Sequence, residues 1–138
     1  MDVVGFTKQE QLDLFRVVAA VLHLGNIQVT GSRDNQAYIT DKSIAEKVCN
    51  ILGMPVDDFV KSLLKPHVKA GREWVAQART KEQVIYSIDA LAKALYERNF
   101  SAIVDRINQT TDRPTQKETF IGVLDIAGFE IFEVSFDA

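Results

Sequence analysis

The sequence predicts an α/β fold that is predominantly helical. Three segments carry the signature of a helix start, in which threonine or serine is followed three residues later by glutamate or glutamine. A continuous apolar run over residues 120–124 is typical of a parallel strand covered on both faces. The chain has 138 residues, of which 46% are hydrophobic and 25% charged. That is enough for one core and too apolar for a disordered protein.

The first helix is predicted to begin at a capping box over Thr7–Glu10 and to end before Gly25. Its apolar residues cover nearly every side, so we expect it to be buried on most sides. Two short extended pieces, over residues 26–30 and 36–40, follow it around a turn-rich segment. A second helix is predicted from a capping box over Ser43–Glu46 to Gly53.

A third helix is predicted from Pro55 to about Leu64, because proline suits a first turn and Pro66 ends the helical pattern. Residues 65–81 have no helical period and predict an extended, hairpin-like loop that bends near Gly71. The longest helix is predicted from the capping box at Thr80 to about residue 108, followed by a polar loop over 109–116.

Composition excludes several classes of protein. No apolar stretch approaches the roughly 20 residues of a membrane span, and the start of the chain does not resemble a secretory signal. Cys49 is the only cysteine, which fits a reducing compartment. The net charge of −3 argues weakly against nucleic-acid binding. His23, Cys49 and His67 do not have the spacing of metal ligands.

The segment Asp125–Glu130 directly follows the predicted buried strand. Ligands of open α/β sheets bind beyond the carboxyl ends of strands, where an aspartate can hold hydrated Mg²⁺. Gly128 would let a backbone N–H approach a phosphate without a Cβ in the way. The alternative is an ordinary strand end with a glycine turn. None of the seven glycines is followed by lysine, so these 138 residues contain no phosphate loop of the G-x-x-x-x-G-K-[ST] form.

The segment Lys61–Lys81 is the basic part of an acidic chain. It holds six lysine and arginine residues against one acid, Glu73, and one aromatic residue, Trp74. Such a loop could dock on an acidic protein surface, and the alternative is a solvated face without a partner. Nucleic acid is a weaker candidate, because no second aromatic residue is interleaved for base stacking.

Three segments together resemble one known family. The run Phe120–Phe132 closely resembles the switch II region of myosin heavy chains, and Asp89–Tyr96 and Leu22–Ile27 match two further motor signatures in the same order and spacing. The overall pattern looks most like a class II myosin. The resemblance implies a P-loop NTPase-like parent fold, of which residues 1–138 would be a slice: helices of the upper 50-kDa subdomain and a central-sheet strand leading into switch II. The phosphate loop, switch I, the full relay helix, the converter and the neck would be absent.

The resemblance also implies roles for particular residues. Asp125 would sit near Mg²⁺ through water, Gly128 would bind the γ-phosphate of ATP, and Glu130 would pair with a switch I arginine. The neighbouring Ile126, Ala127 and Phe129 would complete the nucleotide-binding segment. The basic loop resembles the upper actin-contacting loop of the family, which gives five candidate actin-binding residues: His67, Lys69, Arg72, Glu73 and Trp74.

The implied function is that of an actin-based motor in the cytoplasmic actin cytoskeleton, coupling ATP hydrolysis to movement along filaments. Its partners would be actin and the remainder of the motor, with light chains bound only through the absent neck. The alternative is a catalytically inactive fragment that at most binds actin. On either hypothesis we expect no nucleic-acid partner, no ATPase activity from this chain alone, and marginal folding in isolation.

Overall fold

A computed structural model describes residues 1–111 and 121–122 of the chain. Within these residues, a short 3₁₀ turn at Asp2–Val4 precedes four helices and two small antiparallel hairpins. The helices are α1 (Lys8–Leu24), α2 (Ser43–Leu52), α3 (Val56–Leu64) and α4 (Lys81–Thr111). The first hairpin pairs β1 (Thr30–Gly31) with β2 (Ala37–Tyr38), and the second pairs β3 (His67–Ala70) with β4 (Glu73–Ala76). The described residues are therefore predominantly helical, as predicted.

The core lies where the end of α1 meets α2, α3 and the first half of α4. Leu24, Val48 and Val84, one from each of three helices, are fully buried there. The other buried members of this cluster are Ile27, Val29, Ile39, Ala45, Cys49, Phe59, Val60, Leu63 and Ile88. Burial in this cluster raises the pKa of the Cys49 thiol, because the thiolate is poorly solvated there.

Helices α1 and α4 lie side by side and run in opposite directions beyond the core. The Asn99 side-chain amide donates to the Leu14 carbonyl oxygen at 3.5 Å, and the Arg106 guanidinium binds the Glu10 carboxylate. Further along, the Thr110 hydroxyl lies 3.2 Å from the Val4 carbonyl oxygen and 2.9 Å from the Arg106 carbonyl oxygen of its own helix. The start of α1 is thus held to the far end of α4.

Two of the three predicted capping boxes are confirmed. At α1 the Thr7 N–H donates to Glu10 Oε2 at 2.8 Å, and the Glu10 N–H donates to Thr7 Oγ1 at 3.2 Å. At α4 the Thr80 N–H donates to Gln83 Oε1 at 3.0 Å, and the reciprocal bond from the Gln83 N–H to Thr80 Oγ1 is 3.4 Å long. Each box satisfies backbone donors that a helix start leaves free.

The predicted capping box over Ser43–Glu46 is wrong. Ser43 is already the first helical residue of α2, and its N–H donates to Asp41 Oδ1 at 2.8 Å. The Ser43 hydroxyl donates to the other oxygen of the same carboxylate at 3.0 Å. These bonds to the ionised form lower the pKa of Asp41, the bond from the Ser43 backbone having the largest effect.

Four other sequence predictions differ from the structure. Helix α1 is not buried on most sides: Phe15 and Leu22 are 60% and 69% exposed, since no described element covers those sides. The strands β1 and β2 are shorter than the extended pieces predicted over residues 26–30 and 36–40. Helix α4 continues to Thr111, which lies in the predicted polar loop. Of the predicted buried strand over residues 120–124, only Ile121 and Gly122 lie within the described residues. Neither of the two is in a strand, and Ile121 is almost fully exposed.

Within the described ranges, no helix combines the length and the hydropathy needed to cross a lipid bilayer.

Candidate functional site

The basic segment folds as the β-hairpin of β3 and β4, as the sequence predicts. Val68 lies opposite Val75 and Lys69 opposite Trp74 in the antiparallel register. Two residues connect the strands, and the first of them, Gly71, has a φ of +65°. Glycine adopts this left-handed conformation without the steric strain that a Cβ would cause, which allows the tight reversal.

Hydrogen bonds hold the base of the hairpin to the neighbouring helices. The Gln77 N–H donates to the Pro66 carbonyl oxygen at 3.0 Å and closes the base of the hairpin itself. The Arg79 N–H donates to the carbonyl oxygen of Leu64, the last residue of α3, also at 3.0 Å. The Arg79 guanidinium donates to the Ser87 hydroxyl of α4 at 2.6 Å. The hairpin therefore projects from a base that is fixed to the end of α3 and the start of α4.

The register divides the five predicted binding residues between two faces. Side chains alternate along a strand, and directly opposed residues share a face. His67, Lys69 and Trp74 therefore lie together on one face, which we call the tryptophan face. Glu73 lies on the opposite face with the Val68–Val75 pair, and Arg72 is in the connection. The structure brings three of the predicted residues together and separates the acid from them.

The side chains of the hairpin are open to a partner. All five predicted residues are exposed, and Trp74 has 68% of its surface accessible. Among the ion pairs of the described residues, none involves Lys69, Arg72 or Glu73. An exposed tryptophan beside cations that have no acidic partner in the described part of the chain suits binding of an acidic protein surface, because aromatic and cationic side chains commonly anchor such contacts.

The sequence did not indicate the groove between the hairpin and α4. This groove has a volume of about 660 Å³, and Val68, Arg79 and Tyr86 line it together with neighbouring polar side chains. Tyr86 is 76% exposed there. The position of Val68 between the polar residues His67 and Lys69 is the feature of the sequence that could have predicted an apolar side chain on this side of the hairpin.

The predicted nucleotide-binding residues lie outside the described residues. These are Asp125, Ile126, Ala127, Gly128, Phe129 and Glu130. In the part of the chain that the structure describes, no three histidine, cysteine, aspartate or glutamate side chains are close enough to share a metal ion.

Comparison with known proteins identifies a single family. The model of the myosin head (motor domain) family matches residues 1–137. The chain is 49% identical to myosin type-2 heavy chain 2 of Schizosaccharomyces pombe over 129 residues, which are 93% of this chain and 6% of that protein.

Two animal proteins give similar matches. Myosin-14 of Homo sapiens is 47% identical over 135 residues, covering 96% of this chain and 7% of its own length. The non-muscle myosin heavy chain of Drosophila melanogaster is 44% identical over 137 residues, which are 98% of this chain and 7% of that protein. The chain thus spans less than a tenth of the length of these relatives, and it belongs to the myosin head (motor domain) family.

Proposed function

We propose that this chain is a segment of an actin-based motor of the cytoplasmic cytoskeleton, which couples ATP hydrolysis to movement along filaments. Membership of the myosin head family supports this proposal. The observation that carries it is the exposed hairpin of β3 and β4. The hairpin presents a tryptophan 68% accessible to a partner and cations that form no ion pair within the described residues. Light chains would bind a neck outside these residues.

The hairpin is the proposed actin contact. Its fixed base and short connection limit its freedom, so less conformational entropy is lost when a partner binds. Trp74 offers a large, rigid apolar surface, and Lys69 beside it offers a positive charge. The two faces allow two kinds of contact at once: the tryptophan face with an acidic group, and Glu73 with a basic one.

The proposed nucleotide site rests on the family resemblance of residues 125–130. Mg²⁺-bound ATP would supply the phosphoryl group that is hydrolysed. Asp125 would hold the metal through water, and the Gly128 N–H would donate to the terminal phosphate. Glu130 would pair with an arginine from elsewhere in the motor, while Ile126, Ala127 and Phe129 would hold the segment's backbone in place.

Two glycine substitutions in the intact motor polypeptide test the nucleotide assignment. Gly128→Ala adds a Cβ where an N–H must approach phosphate, so we expect basal ATP turnover to fall by about 10²–10³. Gly25→Ala is the matched control: Gly25 has a helical φ of −65°, and an added Cβ would meet only the Leu22 carbonyl oxygen at 3.7 Å. Turnover should be unchanged in the control, and normal turnover of Gly128→Ala would refute the assignment.

A second proposal concerns the 138-residue chain on its own, which we propose does not hydrolyse ATP. Its sequence contains no phosphate-loop motif. Phe15, Leu22, Tyr96 and Phe100 leave large apolar surfaces exposed, which is unusual for a self-contained monomer. Phosphate release by the purified chain, measured with and without filamentous actin, should match a buffer blank. Actin-stimulated release would contradict this proposal.

A further inference from the structure

Arg79, in the segment between β4 and α4, bonds to three separate elements of the fold. Its N–H donates to the carbonyl oxygen of Leu64, the last residue of α3, at 3.0 Å. Its carbonyl oxygen accepts from the Ala37 N–H of β2 at 2.8 Å. Its guanidinium donates to the Ser87 hydroxyl of α4 at 2.6 Å. One residue thus joins the end of α3, the first hairpin and α4.

The first hairpin is attached to the rest of the fold at this same segment. It has two paired positions, Thr30 with Tyr38 and Gly31 with Ala37, and a hairpin this short has little stability of its own. A Cβ added at Gly31 would lie 3.7 Å from the Cβ of Lys81, so β1 also contacts the start of α4. The first hairpin therefore depends on residues 79–81, which directly follow the base of the second hairpin.

The side chain of Arg79 holds the backbone of that residue in place. Arg79 is half-buried, and none of the ion pairs in the described part of the chain involves it. The Ser87 hydroxyl that accepts from the guanidinium donates in turn to the Gln83 carbonyl oxygen at 2.8 Å, which fixes the acceptor on α4. Releasing the guanidinium would free the backbone of Arg79 to move, and its N–H and its carbonyl oxygen would lose their partners together.

We infer that Arg79 is a positioning residue that couples the two hairpins, so that the first hairpin and the base of the second open together. Local openings that share a contact are not independent, because each removes a bond that the other needs. Anything that holds one hairpin more firmly would therefore slow the opening of the other. The inference does not depend on what either hairpin binds.

Amide hydrogen exchange of the intact motor polypeptide, resolved to single residues, tests the coupling. Ser87→Ala removes the acceptor of the guanidinium and places a strong helix former in α4. We expect the Ala37 and Arg79 N–H groups to exchange faster together, by about threefold to tenfold, the effect of losing one hydrogen bond. The N–H of Val48, in the buried core, should exchange at the wild-type rate, which separates local opening from a general loss of stability.

Two further variants and a control test the role of the side chain. Arg79→Lys keeps a cationic donor and should restore most of the protection that Arg79→Met loses. In the Ser87→Ala background, Arg79→Met should add little, since the bond is already absent. Ser101→Ala makes the same substitution as Ser87→Ala at an exposed position of α4 and should exchange like the wild type.

The reverse perturbation starts from the turn of the first hairpin. Asn35 has a φ of +59°, which a β-branched residue adopts only with strain, so Asn35→Val should loosen this hairpin. Coupling predicts faster exchange of the Arg79 N–H in this variant, while Asn35→Gly, which tolerates the same φ, should leave it unchanged.

Three results would overturn the inference. Wild-type exchange at Ala37 in the Ser87→Ala variant would show that the guanidinium does not position the backbone. Faster exchange at Arg79 alone would show that the two hairpins open independently. An equal increase at Val48 would mean that the variant weakens the whole fold, and the effect at Ala37 would then not be a coupling.

Discussion

The guanidinium carbon of Arg106 lies 5.2 Å from the centroid of the Phe6 ring. The same guanidinium binds the Glu10 carboxylate, whose second oxygen accepts the Thr7 N–H in the capping box of α1. One arginine near the end of α4 thereby contacts both the residue before α1 and the first turn of that helix. This cluster joins the two longest helices of the described structure outside the main core.

A double-mutant cycle between Phe6 and Arg106 measures this contact. Phe6→Leu keeps most of the buried apolar surface and removes the ring, while Arg106→Gln removes the charge. We expect a coupling free energy of about 0.5–1 kcal/mol, the magnitude of a cation–π contact, in urea unfolding of the chain. Single-variant effects that add to within about 0.3 kcal/mol would show that the two side chains do not interact energetically.

Stability should depend on the ionisation of Glu10. The hydrogen bond from the Thr7 backbone, with further contributions from the Thr7 side chain and Arg106, lowers the pKa of Glu10 from its usual 4.5. Because the pKa of Glu10 is lower in the folded chain than in the unfolded chain, its ionised carboxylate stabilises the fold at any pH above the unfolded-state pKa. This contribution is lost as the pH falls below about 4.5 and through the folded-state pKa. Glu10→Gln should therefore show a smaller loss of thermal stability between about pH 6 and pH 3 than the wild type.

The control for this pH series is Glu97→Gln, at an exposed position that forms no ion pair within the described residues. Its pH profile should follow that of the wild type. Identical profiles for wild type and Glu10→Gln would mean that the capping carboxylate does not contribute to acid sensitivity.

Two leucines in the last turns of α1 should respond very differently to truncation. Leu24 is fully buried in the core, whereas Leu22 is 69% exposed. Leu24→Ala should destabilise the chain by about 2–5 kcal/mol, because it removes buried methyl groups and leaves a cavity. Leu22→Ala should change the unfolding free energy by less than about 0.5 kcal/mol. Equal effects in chemical denaturation would place the core elsewhere.

The two faces of the hairpin should differ in how they contribute to actin binding. Glu73→Ala in the intact motor should raise the actin dissociation constant by about twofold to fivefold at low salt, with basal ATP turnover nearly unchanged, since an exposed charge makes a weak, screened contact. Trp74→Ala should raise the actin dissociation constant by more than about tenfold, because an aromatic side chain that becomes buried in the complex dominates many interfaces.

Salt titration of actin binding distinguishes the two contributions. The effect of Glu73→Ala should fade at high ionic strength, and the effect of Trp74→Ala should persist, since apolar contacts are not screened. Glu73 is negatively charged and lies on the face opposite the tryptophan face, so its partner would be a cation. Glu73→Lys should therefore bind more weakly than Glu73→Ala. Tighter binding of Glu73→Lys would mean that both faces contact acids.

The local features of this fold were predictable, and the features that depend on distant contacts were not. Thr7 and Thr80 start helices through bonds to residues three positions away, and Gly71 reverses the chain within two residues, so neighbouring sequence suffices in each case. The start of α2 was mispredicted because an aspartate two residues upstream competed with the serine for the same role.

Exposure on α1 depends on which elements surround it, and no pattern within residues 8–24 contains that information. Its apolar residues predict a helix that is buried on most sides, yet Phe15 and Leu22 have no described partner. The hairpin site shows the same limit. Composition located the basic segment, while the division of Glu73 from Lys69 and Trp74 follows from a strand register that composition does not specify.

The length of α4 has a mechanical consequence for the two ends of the molecule. From Lys81, beside the anchored base of the hairpin, to Arg106, beside Glu10, the helix rises by roughly 38 Å. A rigid rod of that length converts a tilt of about 10° at one end into a displacement of about 7 Å at the other. A small rotation of the hairpin base would thus produce a larger displacement at the first turn of α1. The two ends are roughly 38 Å apart, a distance that no single side chain spans.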